Sequence, residues 1–224
     1  MAYELTGNHA YNVNCMELMR EVPDKYFDLC VCDPPYGGVT GGYVRDPLSV
    51  GKMAKATEYN FSLWKQKPPT RSWFEELRRV SKNQIIWGGN HLSTVICTNS
   101  PCWIVWDKEN GDTDYSDCEL AWTSFDTALR KFTFRWSGML QGDMKNKENR
   151  IHPTQKPVAL YTWIFTNYAK KGDKILDTHL GSGSSRIAAY ELGLDFIGCE
   201  IDSEYFSKEE ERFAAYTAQT SLFH

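Results

Sequence analysis

Two short stretches of this chain combine residue types that can carry out chemistry. In the first, Asp33, Pro34, Pro35 and Tyr36 directly follow an apolar run at residues 27–32. A carboxylate here can accept one hydrogen bond from an exocyclic amino group, and the carbonyl of Pro34 can accept another, because a proline has no N–H to compete. Two such acceptors aim the lone pair of the nitrogen at an electrophile, while Tyr36 offers a face on which a flipped base can stack. The stretch therefore predicts a site that holds a planar amine for attack.

The second stretch, KILDTHLGSGSSRIAAYELGLDFIGCEID, has the pattern of a strand, a glycine loop, a helix and another strand. The first strand ends at Asp177, the loop contains Gly181 and Gly183, and the helix begins near Ser184. Glycines let the backbone approach a ligand closely, and the amides of the helix N-terminus face it. Glu200 ends the second strand, at a spacing that suits hydrogen bonds from ribose hydroxyls. The pattern indicates a nucleotide-like ligand, and its alternative is an ordinary tight turn.

The residues around the glycines narrow the choice of ligand. No lysine follows them, which argues against a phosphate-binding loop, and Arg186 stands where a dinucleotide fingerprint needs a small residue. A nicotinamide oxidoreductase is therefore the weaker alternative. The combination of Asp177, the glycine loop and Glu200 fits an adenosine ligand with an amino-acid tail. S-adenosylmethionine is such a ligand, and its positive sulfonium and amino groups suit a carboxylate better than a pyrophosphate would.

Alternating strand and helix patterns position the two stretches. Helices are predicted at residues 15–22, 72–80, 158–169, 184–192 and 204–219, and strands at 27–32, 84–87, 102–107, 119–123, 132–136, 174–177 and 195–200. This alternation predicts an α/β fold with a doubly wound, mostly parallel, seven-stranded sheet, whose closely spaced strands between residues 102 and 136 form an antiparallel edge. Ligands of such sheets bind where the strand order reverses, so Asp33 and Asp177 face one crevice if their strands are neighbours.

Composition and charge limit the remaining possibilities. The 224 residues, 42% of them hydrophobic, fit a single folded domain, and no apolar run reaches the ~18 residues that a membrane span needs. Seven scattered cysteines without a CxxC pair indicate reduced thiols in a cytoplasmic protein, and no metal site is expected. The formal net charge is −4, yet lysines and arginines are concentrated at residues 45–71 and 130–156. Such segments bind a phosphate backbone if they lie beside the active site, and are otherwise solvated loops.

In this order, the motifs resemble those of amino-group DNA methyltransferases of the adenine-N6 type with the permuted (β) motif order. DPPY comes first, IHPTQKP at residues 151–157 follows, and DTHLGSGSS at 177–185 with GCEID at 198–202 comes last. The resemblance implies a Rossmann-like fold that binds S-adenosylmethionine without a metal. It further implies methyl transfer to the N6 amino group of adenine in DNA, with S-adenosylhomocysteine as the product. Cytosine-N4 enzymes of the same class more often have serine before the two prolines, so Asp33 favours adenine.

The resemblance also implies roles for individual residues. The base site comprises Asp33, Pro34, Pro35 and Tyr36. The cofactor site comprises Asp177, His179, Gly181, Gly183, Ser184 and Glu200, with His152, Thr154 and Lys156 at the methionine end and Asn14 at the adenine ring. Family members usually read Asp-Pro-Phe before the glycine loop, whereas this chain reads Asp-Thr-His, so that His179 replaces the aromatic residue that packs on the cofactor.

The resemblance divides the chain, residues 1–224, into three functional parts within one domain. These are a catalytic half at about 1–125, a short target-recognition segment at about 126–150 and a cofactor-binding half at about 151–224. Double-stranded DNA is the expected substrate. So short a target-recognition segment suggests a short target sequence, a preference for single strands, or a homodimer. The small size fits a stand-alone cytoplasmic enzyme of bacterial or phage origin.

Four further residues have two interpretations each. Asn90 and Lys108 follow strands, where they can reach the base pocket or satisfy local backbone groups. Trp64 and Trp73 flank the first basic segment, where they can stack on nucleic acid or pack in the core. A nucleic-acid-binding protein that has lost catalysis is the alternative from a different class.

Overall fold

The computed structural model describes residues 3–36, 67–111, 116–137 and 140–221. In chain order its elements are β1 (Asn8–Tyr11), α1 (Cys15–Glu21), β2 (Phe27–Cys32), α2 (Arg71–Val80), β3 (Ser81–Trp87), α3 (Ser93–Ile96), β4 (Trp103–Asp107), β5 (Cys118–Thr123), β6 (Arg130–Thr133), β7 (Trp136–Ser137), β8 (Leu140–Gln141), α4 (Val158–Tyr168), β9 (Lys174–Asp177), α5 (Ser184–Glu191), β10 (Asp195–Cys199) and α6 (Ser203–Ser221). Residues 37–66, which include Trp64 and most of the basic segment at 45–71, lie outside these ranges. Within them, no helix is both long and apolar enough to cross a membrane, and no three His, Cys, Asp or Glu residues are grouped so that they could hold a metal ion.

Eight strands form one sheet in the order β1-β10-β9-β2-β3-β5-β4-β6, and β7 pairs with β8 separately. From β1 to β3 every neighbouring pair in this order is parallel. The chain moves outward from β9 to β10 on one side and from β2 to β3 on the other, so the strand order reverses between β2 and β9. Cys30 is opposite Leu176 in this central pair, which brings the carboxyl ends of the two strands to the same point of the sheet edge.

Helices cover both faces of the sheet, as the alternation of strands and helices predicts. In β2, Leu29 and Val31 join the apolar core that α4 and α5 cover, whereas Cys30 and Cys32 join the core that α1 and α2 cover. All four side chains are buried, because the strand is apolar on both faces. This packing fixes the height at which β2 ends, and with it the position of the residues that follow.

The predicted α/β class with a doubly wound, mostly parallel sheet is confirmed, but two details differ. The described residues form eight sheet strands and not seven, because β1 was missed: its sequence, NHAY, is only half-buried and is held by pairing with β10. The reversed strand is β5, and it lies inside the sheet between β3 and β4 instead of at an edge. The strand predicted at 132–136 is divided, since β6 ends at Thr133 and Trp136 pairs in β7.

Candidate active site

A cavity of about 720 Å³ opens at the carboxyl ends of β2 and β9. The predicted site residues that line it are Asn14, Asp33, Pro34, Pro35, Tyr36, His152, Thr154, His179, Gly181 and Glu200. Asn90 and Lys108 line it as well. Four predicted site residues, Lys156, Asp177, Gly183 and Ser184, do not line the cavity in the part of the chain that the structure describes. The strand reversal between β2 and β9 thus brings the two sequence motifs to one cavity, as their positions predicted.

Asp33 follows the last residue of β2, and its two carboxylate oxygens differ. Oδ2 accepts a hydrogen bond of 2.6 Å from Nζ of Lys156. Oδ1 is buried and has no hydrogen-bond partner among the described residues. Burial raises the pKa of Asp33 above its usual value, although the ammonium of Lys156 opposes this shift. The side chain therefore offers one acceptor atom that nothing in the described protein uses.

Lys156 forms ion pairs with Asp33 and with a second carboxylate, that of Glu119. Its ammonium is 3.0 Å from Oε2 of Glu119, and its side chain is only 3% exposed. The other oxygen of Glu119 accepts a hydrogen bond of 3.1 Å from Lys108. Burial alone would raise the pKa of Glu119, but the ammonium groups of Lys156 and Lys108 lower it to about 2. Four charges thus alternate in a row, Lys108, Glu119, Lys156 and Asp33, at the wall of the cavity.

Tyr36 has its ring against that of His91, on the segment after β3. The ring centroids are 5.0 Å apart and the planes differ by 16°, which is a stacked pair. The close approach of this ring requires a glycine at position 88, where the backbone has φ +68° and an added Cβ would lie 2.2 Å from the Tyr36 ring. The charge of Asp33 raises the pKa of Tyr36, so the phenol stays neutral. Tyr36 therefore presents a neutral aromatic ring next to the unused Asp33 acceptor.

Asp177 ends β9 under the glycine loop. Its Oδ1 accepts a hydrogen bond from the amide of His179 (3.0 Å), and its Oδ2 accepts one from the hydroxyl of Ser185 (2.6 Å). The residue is buried, and burial raises its pKa to about 7. In the described structure both oxygens thus hold the loop and the start of α5.

Glu200 follows β10 and connects the glycine loop to that strand. Its Oε2 accepts a hydrogen bond of 2.9 Å from the amide of Gly181, and its Oε1 accepts one of 2.9 Å from the amide of Asp202. Burial raises the pKa of Glu200. Its carboxylate lies at the cavity wall, at the strand end where the sequence predicted a ribose contact.

The second glycine of the loop serves packing. Gly183 has φ +72°, and an added Cβ would lie 2.4 Å from Oε1 of Glu209, a fully buried residue of α6. Glu209 in turn accepts two hydrogen bonds from Arg186. The arginine that replaces a small residue in the glycine motif is therefore buried and binds α6, which is possible because Gly183 leaves the space.

Two histidines contribute rings to the cavity. Burial lowers the pKa of His179 to about 4, and its ring contacts Trp73 edge to face at 5.6 Å. Burial and the ammonium of Lys156 lower the pKa of His152 to about 4, and its ring lies 4.4 Å from that of Tyr205. Both rings are neutral near pH 7. Trp73 is a buried core residue of α2, so its alternative role as a surface platform for nucleic acid is wrong.

Several residues have structural partners that the sequence did not predict. The side chain of Asn14 caps α1 by accepting a hydrogen bond of 2.9 Å from the amide of Met16, while the residue lines the cavity. Ser184 is buried and accepts a hydrogen bond of 3.0 Å from Arg212. In the predicted target-recognition segment at about 126–150, the carboxylate of Glu148 accepts hydrogen bonds from Arg212 and from the amide of Val158 at the start of α4.

Sequence reasoning missed Glu119 and His91 as residues of the site. Glu119 had a signal: it is an acidic residue within the strand CELAWT, and a carboxylate in a buried strand requires a partner. His91 directly follows Asn90, a candidate residue of the base pocket, but no pattern marked its ring as the neighbour of Tyr36. That contact depends on the turn that follows β3.

Comparisons with known proteins agree with the motifs. The chain matches a family model of N6/N4 type described as DNA methylase over residues 101–211. It is 26% identical over 247 residues to the type II methyltransferase M2.MboI of Moraxella bovis, covering 92% of this chain and 88% of the relative. Among solved structures, M1.HpyAVI in complex with SAM is similar with a TM-score of 0.57 at 19% identity (91% of this chain, 98% of the other). PvuII DNA methyltransferase, described as cytosine-N4-specific, is similar with a TM-score of 0.59 at 14% identity (93% and 87%). The resemblance to N4/N6 amino-methyltransferases is confirmed, and the likenesses to solved structures confirm the fold.

Proposed function

The chain is similar to N6/N4-type DNA methylases in residues 101–211 and to a type II methyltransferase over 92% of its length, and we therefore propose that it transfers a methyl group from S-adenosylmethionine to the N6 amino group of adenine in DNA. The observation that carries the proposal is Oδ1 of Asp33, a buried acceptor without a partner among the described residues, in a carboxylate that lines the cavity. Leaving such a group unsatisfied costs about 1–3 kcal/mol. An exocyclic amino group of a base supplies the missing donor.

The cavity supports S-adenosylmethionine as the second ligand. Its volume of about 720 Å³ lies in the range of roughly 300–1,000 Å³ that is usual for ligand pockets. The carboxylates of Asp33, Glu119 and Glu200 line it, which suits a ligand that carries positive charge. We propose that Glu200 and Gly181 hold the ribose, and that His152 and Thr154 hold the methionine end.

In the proposed reaction, the residues after β2 position the base and do not form a covalent intermediate. S-adenosylmethionine supplies a methyl group on a positively charged sulfur, so that an N–C bond replaces the S–C bond. S-adenosylhomocysteine leaves as a neutral thioether, and the methylated nitrogen releases its proton to solvent. Asp33 accepts a hydrogen bond from the amino group through Oδ1, and the carbonyl of Pro34 accepts the second. Tyr36 stacks on the flipped base. The rate enhancement then comes from orientation and fixed charges, which is the usual origin when no enzyme nucleophile is involved.

Exposed cations near the sheet edge support DNA as the carrier of the base. Arg130 and Lys131 on β6, and Lys145 and Lys147 after β8, are exposed. Such side chains neutralise phosphates and release counterions, so binding that depends on them weakens as salt increases. We propose that this segment holds the DNA backbone, and that the reaction takes place in the cytoplasm.

Cytosine-N4 methylation is the second candidate. The exocyclic amino group of cytosine presents the same two donors to Asp33 and Pro34, and one structural relative is described as cytosine-N4-specific. Asp33 in place of the serine that is more usual in cytosine-N4 enzymes favours adenine.

The test is a methylation assay with tritiated S-adenosylmethionine and unmethylated DNA, duplex and single-stranded, followed by digestion to nucleosides. We expect label in N6-methyladenine that the Asp33→Ala variant does not produce. Label in N4-methylcytosine would assign the other base. Absence of label in both DNA forms would contradict the proposal. Light scattering on the same sample determines whether the active form is a homodimer.

A further inference from the structure

A lysine from a distant part of the chain bonds only one of the two oxygens of the Asp33 carboxylate. Lys156 lies 123 residues later in the sequence, two residues before α4 begins. Its ammonium is 2.6 Å from Oδ2 of Asp33 and 3.0 Å from Glu119. Oδ1 of Asp33 has no such partner among the described residues. One oxygen is therefore fixed by the protein and the other is left for a ligand.

Stability alone does not explain this arrangement. A lysine side chain that is 3% exposed loses most of its hydration, and the two carboxylates must compensate for that loss. Replacement of a buried ion pair by apolar residues of similar volume is often neutral or stabilising. The ammonium also lies 5.5 Å from the centre of the buried Trp87 ring. A buried lysine at this point therefore indicates a role in the chemistry next to it.

We propose that Lys156, held in place by Glu119, is a positioning residue that fixes Oδ2 of Asp33 and so reserves Oδ1 for the amino group of the target base. This inference rests on the proposed function, since it requires a base amino group at Oδ1. It differs from the role that the sequence resemblance implied, in which Lys156 contacts the methionine end of the cofactor. In the described structure Lys156 does not line the cavity.

The ammonium also determines the charge of Asp33. The charged groups that act on this carboxyl are Lys156 and Glu119. The charge of Asp33 in turn raises the pKa of its ionisable neighbour Tyr36, and burial together with that charge raises the pKa values of Tyr161 and Asp177. Burial and the negative charge of Glu119 raise the pKa of Asp33, and Lys156 is the cation that lowers it. A protonated Asp33 would turn one oxygen into a donor, which does not fit an amino group. Lys156 therefore fixes the geometry of the acceptor and also favours its ionised form.

The test compares Lys156→Met, which keeps an unbranched side chain one atom shorter and removes the charge, with Lys156→Arg and Glu119→Gln. We expect Lys156→Met to lower kcat by about 10²-fold, because the Asp33 acceptor is misplaced, while the dissociation constant of S-adenosylmethionine stays unchanged. The acidic limb of the kcat profile should move up by about 1–3 pH units, as removal of a cation beside a carboxylate predicts. Lys156→Arg should restore part of kcat, and Glu119→Gln should show a smaller loss. Lys174→Met is the control for loss of a lysine, because Lys174 begins β9 at the end of the strand that lies away from the cavity.

A second measurement separates this inference from the proposed function. The ¹³C signal of the Asp33 carboxyl, assigned with Asp33→Asn, is titrated in the wild type and in Lys156→Met, with circular dichroism as the check that both are folded. An unchanged Asp33 titration, or loss of cofactor binding with kcat retained at saturation, would overturn the inference. If Lys156→Met does not fold, the same titration in Lys156→Gln decides, since glutamine removes the positive charge and keeps an N–H donor for Oδ2 of Asp33. If the Asp33 titration differs between the wild type and Lys156→Met but the wild type methylates no DNA, the proposed function is contradicted. The effect of Lys156 on Asp33 is then still supported.

Discussion

The two ends of the cavity hold buried carboxylates in different ways. At the base end, the end proposed to bind the target base, Asp33 and Glu119 share the ammonium of Lys156. At the cofactor end, the end proposed to bind S-adenosylmethionine, Asp177 and Glu200 accept hydrogen bonds from backbone amides and a serine hydroxyl. The base end is therefore built from charged side chains, and the cofactor end is built from backbone.

Because their carboxylates have different partners, the two ends suit ligands of different charge. Without a cation bonded to it, the Asp177 carboxyl has its pKa raised to about 7, and burial also raises that of Glu200. A positively charged ligand would lower both values, whereas a phosphate would raise them further. At the base end Lys156 already neutralises one carboxylate, so a neutral amine fits there. Substitutions at the cofactor end should accordingly impair the fold or cofactor binding. Substitutions at the base end should impair the chemical step.

The largest expected effect is a loss of stability from Gly183→Ala at the cofactor end. A non-glycine residue at positive φ costs about 1–2 kcal/mol, and forcing a methyl group into a packed site costs about 1–3 kcal/mol more. The added Cβ would meet Glu209 at 2.4 Å. Gly172→Ala is the matched control, since Gly172 has φ +86° and its added Cβ meets no described atom within 4 Å. Urea unfolding should show the larger decrease for Gly183→Ala, and equal decreases would refute the packing explanation.

The next effect is on cofactor affinity, in Glu200→Gln. Glutamine has one acceptor oxygen, so the amide of either Gly181 or Asp202 loses its partner and the glycine loop loosens. Hydrogen bonds to charged groups contribute about 1.5–3 kcal/mol, so calorimetry should show S-adenosylmethionine binding weakened roughly 10- to 100-fold. Glu204→Gln, which removes only an exposed pair with Lys208, is the control. A decrease in kcat at saturating cofactor, with affinity unchanged, would show that the two ends are not separable.

The smallest effect is pH-dependent and concerns His179. Because its folded-state pKa of about 4 lies below the usual 6.5, the stability that the neutral ring provides is present above pH 6.5 and is lost as the pH falls toward 4. From pH 7 to pH 5 this loss is about 2 kcal/mol. His179→Phe should remove this part of the acid sensitivity in thermal unfolding, whereas His9→Phe, on a partly exposed ring, should not. Identical pH profiles for wild type and His179→Phe would show that the ring is not held neutral by the fold.

The sequence predicts the fold well where strands are apolar and end at an acidic residue. The bounds of β2 and β9 are as predicted, because both are short buried runs with a clear end, and so Asp33 and Asp177 were located correctly. β1 was missed because its residues are half-buried and its strand conformation depends on β10. The partners of Lys156 could not be predicted from the sequence, since no local pattern relates this lysine to an aspartate 123 residues earlier. The sequence thus predicts which residues approach the cavity, and the tertiary structure decides which of them form pairs.

The insertion of β9 beside β2 has a consequence for biosynthesis. During translation β2 emerges early, but its neighbour on this side is made 146 residues later, as the hydrogen bond from the amide of Lys174 to Asp28 illustrates. Until then the edge of β2 has unpaired N–H and C=O groups, which invite association with other chains. Contacts so distant in sequence form slowly. The nascent chain therefore contains the DPPY segment long before it has a cavity, and chaperone dependence should decrease once β9 has docked.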